Sequence, residues 1–325
     1  MPKITGVDTT NITKRSGVSS LSKVTGVSLS LGASGQPANG YSGLASSGMI
    51  MRLDAADSNS YNAPGDTTWS DLSGNSKDLT LVNGPTEPSA GDNYVNFDGV
   101  NDYGTLTWVS GDHFYVNDTL SNNNAPIPAF TATAVFSFPE DPNNAGYIPS
   151  DSFVRFGSRR QSGGLRALQI DFSHRGIQMG LAYGTNPRIN WPSTPTADFQ
   201  YNSATSQYQP KPNRVLFAAI TVAPGTSAQM VGYLNGATFT PQSVVGSVSN
   251  VSGSTIGTVT YLSNAAVDLG PDTWIFGVGQ TSTGALASNH LASNVYEYVL
   301  YDRALSASEI QSNYNAYVAE YGALN

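Results

Sequence analysis

One segment near the end of the chain constrains the fold more than any other: Val295-Tyr-Glu-Tyr-Val-Leu-Tyr-Asp-Arg-Ala-Leu-Ser-Ala-Ser-Glu-Ile-Gln311. Its first half alternates, with Val295, Glu297 and Val299 on one side and Tyr296, Tyr298 and Leu300 on the other. That is the period of a β-strand, and the β-branched and aromatic content agrees. Its second half changes period. Ser306 followed by Glu309 makes a capping box, in which each side chain satisfies an amide at the helix start. Ile310, Tyr314, Tyr317, Val318 and Tyr321 then share a helical stripe, and Gly322 is a natural stop. A strand running into a short capped helix, in a chain otherwise full of strand signals, predicts a lid closing a sandwich.

Composition narrows the class. With 325 residues, 39% hydrophobic and 33 Gly, the chain can build one large turn-rich β domain and an arm. It has no Cys, which removes disulfides and thiolate metal sites. A net charge of −8 argues against nucleic acid and anionic membranes as partners. No apolar run is long enough to insert in a bilayer. Met1-Pro-Lys-Ile-Thr-Gly6 lacks the apolar core of a secretory signal. An outward-facing module without such a signal is expected to leave a cell by lysis, carried on a particle.

Six short motifs run in order along residues 50–306: Leu53-Asp-Ala55, Trp69-Ser-Asp-Leu-Ser-Gly-Asn75, Phe97-Asp-Gly-Val-Asn-Asp-Tyr103, Tyr233-Leu-Asn-Gly236, Trp274-Ile-Phe-Gly-Val-Gly279 and Tyr301-Asp-Arg-Ala-Leu-Ser306. Together they resemble laminin-G-like, concanavalin A-like lectin/glucanase domains, such as those on bacteriophage virion proteins. The resemblance implies an all-β, two-sheet antiparallel jelly-roll sandwich with a short C-terminal helix. It leaves function open, because that fold hosts lectins, hydrolases, lyases and inert modules.

Three regions are expected. Residues 1–30 carry an imperfect repeat of aliphatic, Ser/Thr and Gly-Val, with Ile4, Val7, Ile12, Val18, Leu21 and Val27 as its apolar positions. Lys3, Lys14, Arg15 and Lys23 make this stretch basic. Three such units cannot bury a core alone, so they form either an anchor docked on a neighbour or an unstructured leader. Similar repeats resemble the N-termini of phage structural proteins. Residues 31–48 are a Gly/Ser linker, and the sandwich spans 49–325. Within it, Phe130–Phe138 reads as a central strand with Ala and Phe facing the core. Asn235-Gly236 reads as a tight hairpin turn. Residues 184–213 read as a long Pro-rich loop.

Chemistry is sparse. Glucanases of this fold set Glu-x-Asp-x-x-Glu on one strand, and Glu87, Glu140, Glu297, Glu309 and Glu320 do not fit that spacing. Gln169-Ile-Asp171 resembles a lyase strand but has Asp where the family has His. His113 and His290 stand apart. The chain is therefore expected not to be an enzyme. No cofactor is required. Asp98, Asn101 and Asp102 are of the residue type that holds calcium, and Asp71, Ser73 and Asn75 form a second such group; both also suit turns in which the side chains bond their own backbone. Trp191, Tyr201 and Tyr208, with Arg188, could form a glycan platform on the long loop, or the aromatics could pin that loop to the sheet or face a neighbouring subunit. Arg159-Arg160 could meet an acidic sugar.

The leading reading is a bacteriophage virion surface protein (a capsid decoration, fibre or appendage), localised on the virion surface. Its arm would meet other virion proteins, and its lectin-like domain would face host or environmental glycans, as a homo-oligomer in the particle. The alternatives are a free bacterial carbohydrate-binding module and, behind it, a polysaccharide-degrading enzyme.

Overall fold

The computed structural model describes residues 43–321 apart from 63–64, 86–92, 115–128, 150–151, 159–168, 181–187, 193–195, 224–228, 240–243, 246–272, 281–285 and 291. The repeat positions Ile4, Val7, Ile12, Val18, Leu21 and Val27, and with them Glu87, Arg159 and Arg160, lie outside the described residues.

Strand alternation builds two antiparallel sheets. The first contains β1 (Met49–Asp54), β4 (Val95–Asp98), β6 (Phe130–Ser137), β13 (Leu216–Ala223), β14 (Gln229–Leu234), β15 (Ala237–Thr238) and β20 (Ala292–Tyr301), in the order β1-β20-β6-β13-β14-β15 with β4 also on β20. The second contains β2 (Thr68–Trp69), β3 (Leu79–Val82), β5 (Tyr103–Thr107), β7 (Phe153–Ser158), β8 (Gln169–Ser173), β9 (Gly176–Gly180), β10 (Arg188–Asn190), β16 (Val244–Val245) and β17 (Thr273–Phe276), in the order β16-β10-β9-β8-β7-β17-β5-β3-β2. Two-stranded hairpins are formed by β11 (Phe199–Asn202) with β12 (Gln207–Pro210), and by β18 (Val278–Gln280) with β19 (Leu286–His290).

The sheets pack face to face, as in other β-sandwiches. Phe136 of β6 meets Phe172 of β8, and Tyr298 of β20 meets Phe156 and Phe276 across the interior. Phe130, Ala132, Ala134 and Phe136 all face this core, as the alternation in β6 predicts. The Asn235-Gly236 turn has positive φ at both residues, 49° and 80°, the mirror-image turn whose twist suits a two-residue hairpin. The expected loop 184–213 holds more structure than its prolines suggested: β10 joins the second sheet, and β11–β12 forms a hairpin beside it.

The closing strand also departs from strict alternation. A bulge between Val295 and Glu297 inserts one residue into the pairing with β6. Val295 therefore shares the core face with Tyr298 and Leu300, while Glu297 lies on the opposite face. The helix that follows, α1 (Ala307–Tyr321), covers that opposite face. Glu309 N donates to Ser306 Oγ, and Ser306 N donates to a Glu309 oxygen at 2.8 Å, completing the capping box. Arg303 bonds both oxygens of Glu309 and holds its carboxyl down at about 2.

Under α1 lies a buried ionic cluster. Arg52 donates to Asp54 and to Glu297, both at 2.7 Å, and all three side chains are 0–2% exposed. The Tyr317 hydroxyl from α1 interacts with Glu297 and Thr133, and Asn313 donates to the Tyr301 hydroxyl at 2.9 Å. Burial raises the Glu297 carboxyl to about 8, against the pull of Arg52 and with a further push from Asp54. Residues at the start of the unit meet the same region: Ala45 N donates to Asn313 Oδ1, and Arg303 Nε to Ser47 O. No helix among the described residues is long and apolar enough to cross a membrane.

Candidate functional site

With α1 on the first sheet, the outer face of the second sheet carries the half-buried polar side chains Arg155, Gln169, Gln178 and Arg188, beside the buried Asp171 and Asn190. Ile170, Phe172, Ile177 and Ile189 point into the core, so their neighbours on β8, β9 and β10 point out. Register then assembles a row across four strands: Arg188 pairs with Gln178, Gln178 with Asp171, and Asp171 with Arg155. At ordinary strand spacing the row is about 14 Å long. Gln169 and Asn190 flank it, on β8 and β10.

The row is internally braced. Arg155 grips Asp171 with two bonds, Nε to Oδ1 at 2.6 Å and a terminal nitrogen to Oδ2 at 2.9 Å, and its guanidinium lies 4.3 Å from the Phe153 ring centroid. Such a fork-to-carboxylate pair fixes the plane of both groups. Arg188 Nε donates to Asn190 Oδ1 at 2.7 Å. Burial, and then the charge of Arg175, lower the Arg188 pKa. Planar amides and guanidiniums held in fixed orientations are the groups that match the paired hydroxyls of a sugar.

The residues expected to form a glycan platform occupy one neighbourhood but play different parts. Trp191 is fully buried. Its Nε1 donates to Ser173 O at 2.8 Å, and its ring packs on Phe199 and Phe239. It thus pins the β11–β12 hairpin to the sheet, and its face is not available for stacking on a ligand. Tyr201 and Tyr208 are cross-strand partners on that hairpin, with ring centroids 5.3 Å apart, and Tyr201 is 47% exposed. Arg188 belongs to the polar row.

The calcium candidates are engaged with their own loop. Asp98 Oδ1 accepts the Val100 and Asn101 amides, and Asp102 Oδ2 accepts the Asp98 amide. Asp71 in the same way accepts amides of Arg52, Ser73 and Lys77, while Asn75 donates to the Met49 carbonyl. These carboxylates serve as turn clamps. His113 bonds the Ala129 carbonyl at 2.8 Å. Among the described residues, no group of three or more His, Asp or Glu could hold a metal ion.

Sequence reasoning missed Gln178 and Arg155 altogether and met Asp171 only as part of an incomplete lyase motif. The one available signal was alternation: Gln169-Ile-Asp-Phe-Ser173 and Arg188-Ile-Asn190 place a polar residue at every second position, and Gln178 lies between two glycines on β9.

No protein-family model matches the chain, and no curated protein does. Among solved structures, similar chains include Trypanosoma rangeli sialidase in complex with sialic acid, at 17% identity and a TM-score of 0.42, covering 82% of this chain and 32% of that one. The binding domain of botulinum neurotoxin DC in complex with SialylT is similar at 12% identity and a TM-score of 0.47, covering 83% of this chain and 52% of that one. The same binding domain in complex with rat synaptotagmin II gives 12% identity and a TM-score of 0.45. The chain thus spans a third to a half of the length of these relatives. The expectation that the chain is not an enzyme is corrected here. A missing glucanase signature does not exclude catalysis, and the similar structures include sialidases, which are enzymes, beside a toxin's binding domain.

Proposed function

We propose that this chain binds glycans through the outer face of its second sheet. The supporting observation is the in-register row Arg155, Asp171, Gln178 and Arg188, braced by side-chain hydrogen bonds on a partly exposed surface. A preset polar surface loses little conformational entropy when it orders a ligand. The domain is read as concanavalin A-like and laminin-G-like, on the motifs quoted above. It is further read as the displayed part of a bacteriophage virion surface protein, because a basic repeat followed by a Gly/Ser stretch suits an arm that docks on other virion proteins. In the particle it would be a homo-oligomer at the virion surface, facing host or environmental polysaccharide.

Affinity electrophoresis of the full chain in gels containing bacterial envelope polysaccharides tests the binding reading. Retardation by at least one polysaccharide is expected, and the double variant Gln169→Ala/Gln178→Ala should lose it at least tenfold with its melting temperature kept. Equal retardation of the variant would place binding elsewhere. Reducing-end assays on the same mixtures decide whether binding is accompanied by turnover. Mass spectrometry of purified particles, with and without residues 1–30, tests the virion reading.

A further inference from the structure

We infer that Arg175 and Arg188 form a receptor for an anionic substituent, a carboxylate or a sulfate, on the bound glycan. This rests on the glycan-binding reading above and names the ligand class. The two residues are neighbours through the β9–β10 register: Gly176 pairs with Asn190, and Trp191 N donates to Arg175 O. Arg188 lies two residues from Asn190 on the same face, about 7 Å along the strand.

Each guanidinium is held by its Nε on a neutral acceptor, which leaves the terminal nitrogens for something else. Arg188 uses Asn190 Oδ1. Arg175 Nε donates to His174 Nε2 at 2.9 Å, and His174 Nδ1 in turn lies 3.3 Å from the Ser152 carbonyl, a pair of contacts that suits the tautomer with its proton on Nδ1. Arg155 on the same sheet shows the contrast, because Asp171 neutralises it. Among the described residues no carboxylate forms an ion pair with Arg175 or Arg188. Arg188 is half-buried, and the charge of Arg175 acts on it unfavourably. Two like charges oriented by neutral side chains, in a chain of net charge −8, form a local exception that an arriving anion would relieve. Guanidinium forks suit a planar carboxylate or a sulfate better than a point charge would.

Calorimetric titration of the full chain with polygalacturonate, dextran sulfate and neutral dextran tests this. At least one of the two acidic polymers should bind at least tenfold more tightly than dextran, with affinity falling as salt rises, and the one preferred separates carboxylate from sulfate. Residues 1–30 are basic and attract a polyanion in their own right, so the assignment rests on the arginine variants, which leave that stretch intact. Arg175→Gln/Arg188→Gln should abolish the tenfold preference, and Arg188→Lys, which keeps the charge but loses the fork, should fall between. If the double variant melts early, Arg175→Gln alone carries the test, because that side chain is exposed on a turn. Acidic-polymer affinity unchanged in the variants, or dextran binding as tight as both acids, overturns the anionic receptor while leaving the glycan reading standing. Binding to none of these polymers, together with no retardation in the envelope-polysaccharide gels, overturns both.

Discussion

Arg52 Nε lies 2.7 Å from Glu297 Oε1, although 245 residues separate the two along the chain. The contact joins the first strand of the sandwich to the last, under the C-terminal helix, and Asp54 shares the same guanidinium. All three groups are out of water, and Glu297 keeps its proton below about pH 8, so at neutral pH removing the cation takes the opposing charge away from a buried Asp54 carboxylate. Arg52→Met should therefore lower stability by about 3–5 kcal/mol in urea unfolding. A loss under about 1 kcal/mol would mean that the Asp54 side chain is rehydrated or compensated elsewhere when the cation is gone.

The same cluster gives stability a pH dependence. Burial lifts the Glu297 carboxyl from 4.5 to about 8, so between those values the folded chain keeps a proton that the unfolded chain has released. The stabilisation is fully present below about pH 4.5 and is lost as pH rises through about 8. Wild-type protein should thus melt lower at pH 8 than at pH 5.5, and Glu297→Gln, which cannot ionise, should flatten that decline. Glu309 acts in the other direction. Held at about 2 by Arg303, it contributes above about pH 4.5 and is lost as pH falls toward 2. A decline just as steep in Glu297→Gln would assign the effect to another group.

Trp191 should behave as a core residue. Trp191→Ala removes a buried ring that holds the hairpin through Phe199, and should cost about 3–5 kcal/mol of stability. Tyr201→Ala, at an exposed position, should change stability by less than about 1 kcal/mol. Thermal melts of the two variants side by side check this, and similar melting points would contradict the pinning role.

The edge of the polar face depends on one glycine. A Cβ on Gly176 would sit 2.1 Å from the Ile189 carbonyl oxygen, in backbone of the neighbouring strand that cannot give way. Gly176→Ala should therefore part β10 from β9, lowering the melting temperature and weakening glycan binding together. A variant that keeps both would show that β10 is not fixed by this approach.

Much of the fold was legible because its signals are local. The alternation of Phe130–Phe138, the Asn235-Gly236 turn and the Ser306/Glu309 cap each act within a few residues. The side of the sheet that Val295 faces was not legible, because a bulge is set by the partner strand rather than by the strand itself. The candidate site was hidden for a related reason. Arg155, Asp171, Gln178 and Arg188 meet only through the register of four strands, which no short window contains. Trp191 misled because a tryptophan among prolines reads the same in sequence whether it faces a ligand or closes a gap.

The central claim, that the outer face of the second sheet binds glycan, is tested most directly by mapping amide chemical shifts of the full chain as a retained polysaccharide is titrated in. The account predicts shifts concentrated at residues 155, 169, 171, 175, 178, 188 and 190, with the outward face of α1 silent. Shifts clustered on α1 or at the exposed apolar side chains Val100 and Val109, with the row unmoved, would contradict it.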